Sequence, residues 1–355
     1  MGKKTIESHL KKLIGSKTCN PKNSFKKFNE IGSGEYGKVY KACINDKCLN
    51  KIAVKNSSNN MSAEYLITKK LDKLGVPQVY GYEKCTNRDF LFSEFINGVT
   101  LKSFLTKRKV EPDELKSIIT QVILLLKMIH KKYPSFRHND LHLDNIMILK
   151  KRNNTKKKIG NVEFNDAKVE VKLLDFGLAT ADWVINPIVK NAPLFKTDYG
   201  IFTKSNPAYD MHLFFNSLYT SKGTTSASRL IESLFKPEYL TKESKVVKEY
   251  RLRSNVEHVL PTYDKVLKHS YFSTPKNSVK TLINKILPPA KKKKSPVKKK
   301  PPSPPVNQEK AKMKAMNVLK KIANAKKVPK KAPGLKKPSL SKPPTKPLIF
   351  KPSPK

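Results

Sequence analysis

Residues 138–145, His-Asn-Asp-Leu-His-Leu-Asp-Asn, place a histidine, an aspartate and, five residues later, an asparagine in one short stretch. An aspartate there can hold a hydroxyl nucleophile and take its proton, and an asparagine can give an oxygen to a divalent cation. That combination suits phosphoryl transfer, and His142 adds an imidazole beside it. Three other places carry compatible groups. Ile31 precedes Gly32-x-Gly34-x-x-Gly37-x-Val39, and a backbone that folds over a phosphate chain and offers it N–H groups has no room for Cβ atoms. Lys55 ends "IAVK", where a strand lysine can meet phosphates. Glu64, nine residues on, is placed to hold Lys55, and Asp175 in "LLDFG" ends an apolar strand where a metal-binding carboxylate is presented.

Each group alone has a plainer reading: a glycine hairpin, a solvent lysine, a surface helix acid. Their order along the chain is what argues for chemistry, so the elements between them matter. Residues 31–44 read as strand, glycine turn, strand; 51–56 as a short strand; 62–74 as a short helix; and 90–98 as a buried strand entering a glycine connector. From Glu111 the character changes. Leu115, Ile118, Ile119, Val122, Ile123, Leu126 and Ile129 form one stripe, with Pro112 and acids in the first turn and lysines in the last, which predicts a long core helix. "NIMILKK" and "KVEVKLLDFG" predict a strand pair around an elaborated hairpin at 151–167, and "YDMHLFFNSLY" predicts a further helix. The pattern is α+β and bilobal, with a β-rich lobe at 25–95 and a helical lobe at 96–287, preceded by a basic extension at 1–24.

The formal charge of +45 is unevenly spread. Residues 288–355 hold 22 lysines, one acid (Glu309) and 15 of the 25 prolines. Such a segment cannot build a core, which predicts a disordered tail. The four cysteines show no paired metal spacing and follow no apolar leader, so reduced thiols and an intracellular location are expected. No stretch approaches the length of a membrane span, and Ile6 stands where a myristoylation signal starting at Gly2 wants Ser or Thr.

With the glycine loop, Lys55, Glu64, His138-x-Asp140-x₄-Asn145 and Asp175-Phe176-Gly177 in sequence, residues 25–287 resemble the eukaryotic-type protein kinase superfamily. The resemblance implies ATP and Mg²⁺ in a cleft between the lobes. It implies Ile31, Gly32, Gly34, Gly37 and Val39 over the nucleotide, Lys55 on its phosphates, Glu64 anchoring Lys55, and Glu94 and Ile96 at the adenine. It further implies Asp140 as base, His142 beside it, Asn145 and Asp175 on the metal, and Asp210 supporting the loop. "GVPQVYGYE" is similar to casein-kinase-1-like and vaccinia-related kinases, "DLH" to the haspin group, and the lysine-proline tail to tails of large DNA viruses such as iridescent viruses. Three departures stand out. Asn139 replaces the arginine that pairs with a phosphorylated activation loop, His142 replaces a lysine, and no "APE" follows Asp175.

"HND" with Asn145 is also how choline, ethanolamine and aminoglycoside kinases write this loop. The complete glycine loop and Asp-Phe-Gly favour a protein acceptor, and the absence of a tyrosine-kinase signature favours Ser/Thr. A catalytically inert scaffold is a third reading, and its main support would be a missing Lys55, Asp140 or Asn145. The basic core complements acidic or already phosphorylated substrates. The tail suits nucleic acid or another polyanion through counterion release. It includes a lysine-rich amphipathic stretch at 307–327 and Ser-Pro sites at Ser295, Ser303 and Ser353, whose phosphorylation would lower its positive charge.

Overall fold

The structure is a computed structural model, which describes residues 2–15, 19–34, 37–159, 162–191, 206–240, 245, 247–248, 250–253 and 258–272. The tail at 288–355, with its amphipathic stretch and Ser-Pro sites, lies outside them. An N-terminal helix α1 (Gly2–Gly15) precedes an antiparallel sheet of β1 (Lys27–Gly34), β2 (Gly37–Cys43), β3 (Lys51–Ser57), β4 (Val79–Lys84) and β5 (Asp89–Glu94), in the order β1-β2-β3-β5-β4. Helix α2 (Ser62–Lys70) links β3 to β4 and is shorter than its apolar pattern suggests, because residues 71–76 turn instead of continuing. The strand expected over 90–98 stops at Glu94, leaving 95–98 as the connector.

The basic extension is more than an appendage. Ile6, Leu10 and Leu13, spaced on one face of α1, are buried with Phe25, Ile52, Val54, Phe90 and Phe92. The helix therefore closes one side of the sheet with an apolar stripe that its many lysines conceal from a composition count. The cysteines also depart from expectation: Cys19 is bonded to Cys85 and Cys43 to Cys48. The first pair unites the end of the extension with the edge of β4, 66 positions away, a proximity that local spacing does not encode.

The second lobe is built on β6 (Val99–Thr100), α3 (Leu101–Thr106) and α4 (Pro112–Lys132). Helix α4 starts as its sequence dictates: Pro112 occupies the first turn, and the Glu114 side chain accepts from the Glu111 backbone N–H at 3.3 Å. Its whole apolar stripe is buried. Strands β7 (Ile146–Lys150) and β10 (Val169–Leu173) pair antiparallel and enclose a hairpin of β8 (Lys156–Ile159) and β9 (Val162–Asn165). Buried Asp166 pins that hairpin, accepting from the Thr155 and Lys168 N–H groups at 2.9 and 3.1 Å and pairing with Lys151. Then come α5 (Pro187–Asn191), α6 (Ala208–Tyr219), α7 (Thr225–Leu234), a two-strand hairpin of β11 (Val247–Lys248) and β12 (Arg251–Leu252), and α8 (Tyr263–Leu267). Among the described residues, no helix is long and apolar enough to cross a membrane.

One buried group on α6 makes the fold acid-sensitive. Burial pushes His212 down from the usual 6.5 to about 4, and a hydrogen bond from Nε2 to the Tyr239 carbonyl at 2.9 Å offsets that only in part. Between these values the unfolded chain binds a proton that the folded chain refuses. Stability is therefore full above pH 6.5 and falls as pH drops toward 4, by about 3 kcal/mol from this residue. Denaturant unfolding across that range checks it: His212→Gln should flatten the slope, and an unchanged slope would remove His212 from the account.

Candidate active site

The sheet and the helical lobe enclose a cleft of about 680 Å³, the size of a small-ligand pocket. Its roof is the β1–β2 hairpin, where Ile31, Gly32, Gly34, Gly37 and Val39 all line it. The three glycines are glycines for different reasons. Gly37 has φ of +134°, and a Cβ there would lie 2.2 Å from the Asn56 carbonyl oxygen on β3, so the neighbouring strand excludes any side chain. At Gly32 and Gly34 an added Cβ would meet nothing within 4 Å. The protein leaves space beneath its own roof, which is what a phosphate chain cradled by backbone N–H groups requires.

Lys55 forms the back wall. It sits mid-sheet on β3, between Val39 of β2 and Leu91 of β5. Its Nζ lies 2.9 and 3.0 Å from the two Glu64 oxygens and 2.8 Å from Asp175 Oδ1. Glu64 points inward because α2 buries the face that also carries Ala63, Ile67 and Thr68. Burial alone would lower the Lys55 ammonium, but Glu64 and Asp175 outweigh it and hold the group above the ordinary lysine range. Burial raises the Glu64 carboxyl against the pull of Lys55. For Asp175 the balance goes the other way: burial raises it, but Lys55 and the Gly177 N–H at 3.1 Å hold it below the carboxylate range. The cation thus stays charged in the cleft.

The floor is the loop at 138–145, and Asp210 of α6 fixes it. Its carboxylate is 1% exposed and accepts from the backbone N–H groups of His138 at 2.8 Å and Asn139 at 2.9 Å. Asn139 has φ of +63°, a left-handed conformation that Asn tolerates. Its Nδ2 donates to the Leu178 carbonyl at 2.9 Å and to Thr180 Oγ1 at 3.0 Å, tying the loop to the segment after Asp175. Asn139, noticed in the sequence for the arginine it replaces, thus has a positioning role of its own. His142 Nδ1 accepts the Asp144 N–H at 3.2 Å, and its Nε2 lies 3.3 Å from Asn145 Nδ2 and 3.6 Å from Asp140 Oδ2.

Asn145 Nδ2 donates to the Asp140 carbonyl at 2.8 Å, which leaves its amide oxygen as the atom for a metal. Asp175 lines the same cleft with its side chain 37% exposed. Two hard oxygen donors beside the space under Gly32 and Gly34 fit Mg²⁺ and phosphate oxygens. Glu94 and Ile96 line the cleft at the connector. The Glu94 carboxylate itself turns to Lys172, at 2.6 and 2.7 Å, and to the Gln78 N–H at 3.1 Å. The Glu94 side chain is thus engaged within the protein, which leaves the connector backbone to meet any ligand there.

Of the fourteen residues expected from the sequence, thirteen line one cleft and Asp210 holds its floor from beneath. Ala53, Leu91 and Met147 line it too and were missed, although Ala53 stands two positions from Lys55 on β3 and so shares its strand face. Arg251, which pairs with Asp140, gave no sequence signal.

Residues 25–183 match the protein kinase domain family. The chain is 31% identical over 143 residues to a putative serine/threonine-protein kinase of Acanthamoeba polyphaga mimivirus, covering 37% of this chain and 30% of the relative. It is 28% identical over 218 residues to the probable serine/threonine-protein kinase fnkE of Dictyostelium discoideum, covering 50% and 15%. To the serine/threonine-protein kinase unc-51 of Caenorhabditis elegans it is 30% identical over 167 residues, covering 44% and 18%. The chain thus spans less than a third of the length of each.

Proposed function

Because this chain belongs to the eukaryotic-type protein kinase superfamily, we propose that it transfers the γ-phosphate of ATP, with Mg²⁺, to serine or threonine hydroxyls of proteins. The carrying observation is the Lys55–Glu64–Asp175 ion cluster, which joins residues 120 positions apart on the cleft that also holds Asp140 and Asn145. In this reading Gly32, Gly34 and Gly37 cover the phosphates, Lys55 contacts them, and Asp140 orients the acceptor hydroxyl and takes its proton. His142 stands beside Asp140 and Asn145, its Nε2 3.6 Å from Asp140 Oδ2 and 3.3 Å from Asn145 Nδ2. Asn145 and Asp175 hold the metal, which neutralises charge on the phosphates when bound.

The serine/threonine assignment is supported by the printed names of the relatives, and acidic or phosphorylated substrates by the chain's positive charge. A viral source is supported by the mimivirus relative and by the tail's composition. An intracellular location and tail binding to polyanions complete the proposal. Deleting residues 288–355 should remove polyanion affinity together with its salt dependence.

The test is transfer from labelled ATP with Mg²⁺ to casein, a basic protein, choline and ethanolamine, for the wild type beside Asp140→Ala. Protein labelling that Asp140→Ala abolishes supports the proposal. Labelling of the alcohols alone would make this a small-molecule kinase, and no transfer to anything would make it a scaffold.

Lys55 and Glu64 separate in the same assay. Lys55→Met removes a charged contact to phosphate and leaves Glu64 buried without its partner, so kcat/KM should fall by about 100-fold. Glu64→Gln leaves Asp175 to hold Lys55, and the loss should be about tenfold. Equal losses in steady-state kinetics would mean that Asp175 alone does not position the lysine.

A further inference from the structure

Asp140 must offer one carboxylate oxygen to an acceptor hydroxyl, yet both oxygens already have neighbours. Oδ2 faces Asn145 Nδ2 at 3.3 Å and His142 Nε2 at 3.6 Å. Oδ1 is ion-paired with the guanidinium of Arg251, whose Nε also donates to the Asn139 carbonyl at 3.2 Å. Arg251 stands 111 positions beyond Asp140, on β12 of the small hairpin that packs against α6. Its guanidinium thus grips two successive residues of the loop, as a planar fork of donors can.

Such a contact has a chemical consequence. A guanidinium on Oδ1 covers that oxygen and occupies the place an acceptor hydroxyl would take on it. The side chains of Arg251 and Asp140 are 20% and 15% exposed, so the pair is reachable from solvent and not sealed in the core. The loop itself brings an imidazole at position 142, so Arg251 supplies the full positive charge on this carboxylate. Moving Arg251 off Asp140 strands a partly buried cation unless another anion receives it.

Resting on the kinase reading, we propose that Arg251 caps the catalytic base in the free protein and passes, when the acceptor binds, to an anionic group beside the acceptor hydroxyl. That group is a carboxylate or a phosphate, both of which match the guanidinium fork. Arg251 is then a positioning residue for Asp140 and a specificity-determining residue for substrate. The guanidinium remains paired throughout with an acidic acceptor, whereas a neutral acceptor must uncap the base with nothing in exchange.

The test uses the full chain and serine peptides that differ only in the flanking residue: Glu, phosphoserine, Gln or Lys. Wild type should show kcat/KM about tenfold or more higher with Glu or phosphoserine than with Gln, and the larger of the two values identifies which anion fits. Arg251→Ala should bring the three within about twofold, mainly by raising kcat on the Gln peptide. Arg251→Glu should invert the order in favour of the Lys peptide, a change that a merely structural role for Arg251 would not produce. If Arg251→Ala fails to fold, Arg251→Lys and Arg251→Glu carry the comparison, with thermal melting of each variant as the control. Labelling by wild type without regard to the flank, or a preference that survives Arg251→Ala, overturns this proposal and leaves the kinase reading standing. Absence of labelling on every peptide, casein and the basic protein fells the kinase reading and this proposal with it.

Discussion

Asp140→Ala should lower single-turnover phosphate transfer by about 10²–10⁴-fold, the contribution usual for a positioned general base, while nucleotide affinity stays within about twofold of wild type. The separation follows from where the contacts lie. In the proposed reading nucleotide lies under the β1–β2 hairpin and against Lys55, residues that line the cleft apart from the loop. The loop keeps its shape without the carboxylate, because the Asp140 backbone carbonyl still accepts from His142 N at 2.9 Å and Asn145 Nδ2 at 2.8 Å, and Arg251, although it loses its ion pair, still donates from Nε to the Asn139 carbonyl at 3.2 Å. Quench-flow transfer beside a nucleotide titration measures both quantities. A variant that retains a tenth of the wild-type rate would remove Asp140 from the role of base, and a collapse in nucleotide affinity would show that the loop had lost its shape.

The second large effect falls on stability. Asp210→Ala should destabilise the fold by about 3–5 kcal/mol, the range for deleting one partner of a buried charged network. The carboxylate is buried and takes two backbone N–H groups that no helix or strand can satisfy, one of them on left-handed Asn139. Burial alone would raise its pKa, but the His130 ring at 3.6 Å, His138 and those N–H groups hold it below the ordinary carboxylate range. Its contribution is therefore full above the usual carboxylate pKa and fades as pH falls through the lowered folded value. Asp210→Asn keeps one acceptor oxygen and should cost about half as much. Denaturant titrations at neutral pH decide it. A loss under about 1 kcal/mol for Asp210→Ala would mean that the loop is held by other contacts, and it should then retain transfer activity as well.

What could be foreseen from the sequence divides along the physics of locality. The glycine hairpin, Lys55 and the 138–145 loop were legible because the groups that act together lie within one turn or one short strand, where backbone geometry alone sets their spacing. Glu64 was legible because only nine residues separate it from Lys55 and α2 has one apolar face to bury. The Asp175 contact with Lys55 spans 120 positions, yet a strand ending in Asp-Phe-Gly announces it. Arg251 had no such marker: its hairpin has two residues per strand, too few for any periodicity. The docking of α1 was hidden by lysines that dominate its composition while three apolar residues decide its fate. The Cys19–Cys85 pair required knowing that the end of the extension returns to β4. Glu94 lines the cleft, but Lys172, the partner that draws its side chain aside, lies 78 positions away and left no local trace.

The unequal demands on the three roof glycines bear on how a lineage of such proteins would change if catalysis were no longer selected. Position 37 is closed to side chains by the Asn56 carbonyl of its own sheet, whereas positions 32 and 34 border open space in which an added Cβ would meet no protein atom within 4 Å. In the proposed reading, a descendant that no longer bound nucleotide would accumulate side chains at 32 and 34 at little thermodynamic cost and still carry glycine at 37. The last glycine of the motif is therefore a relic of architecture, and the first two are the record of use.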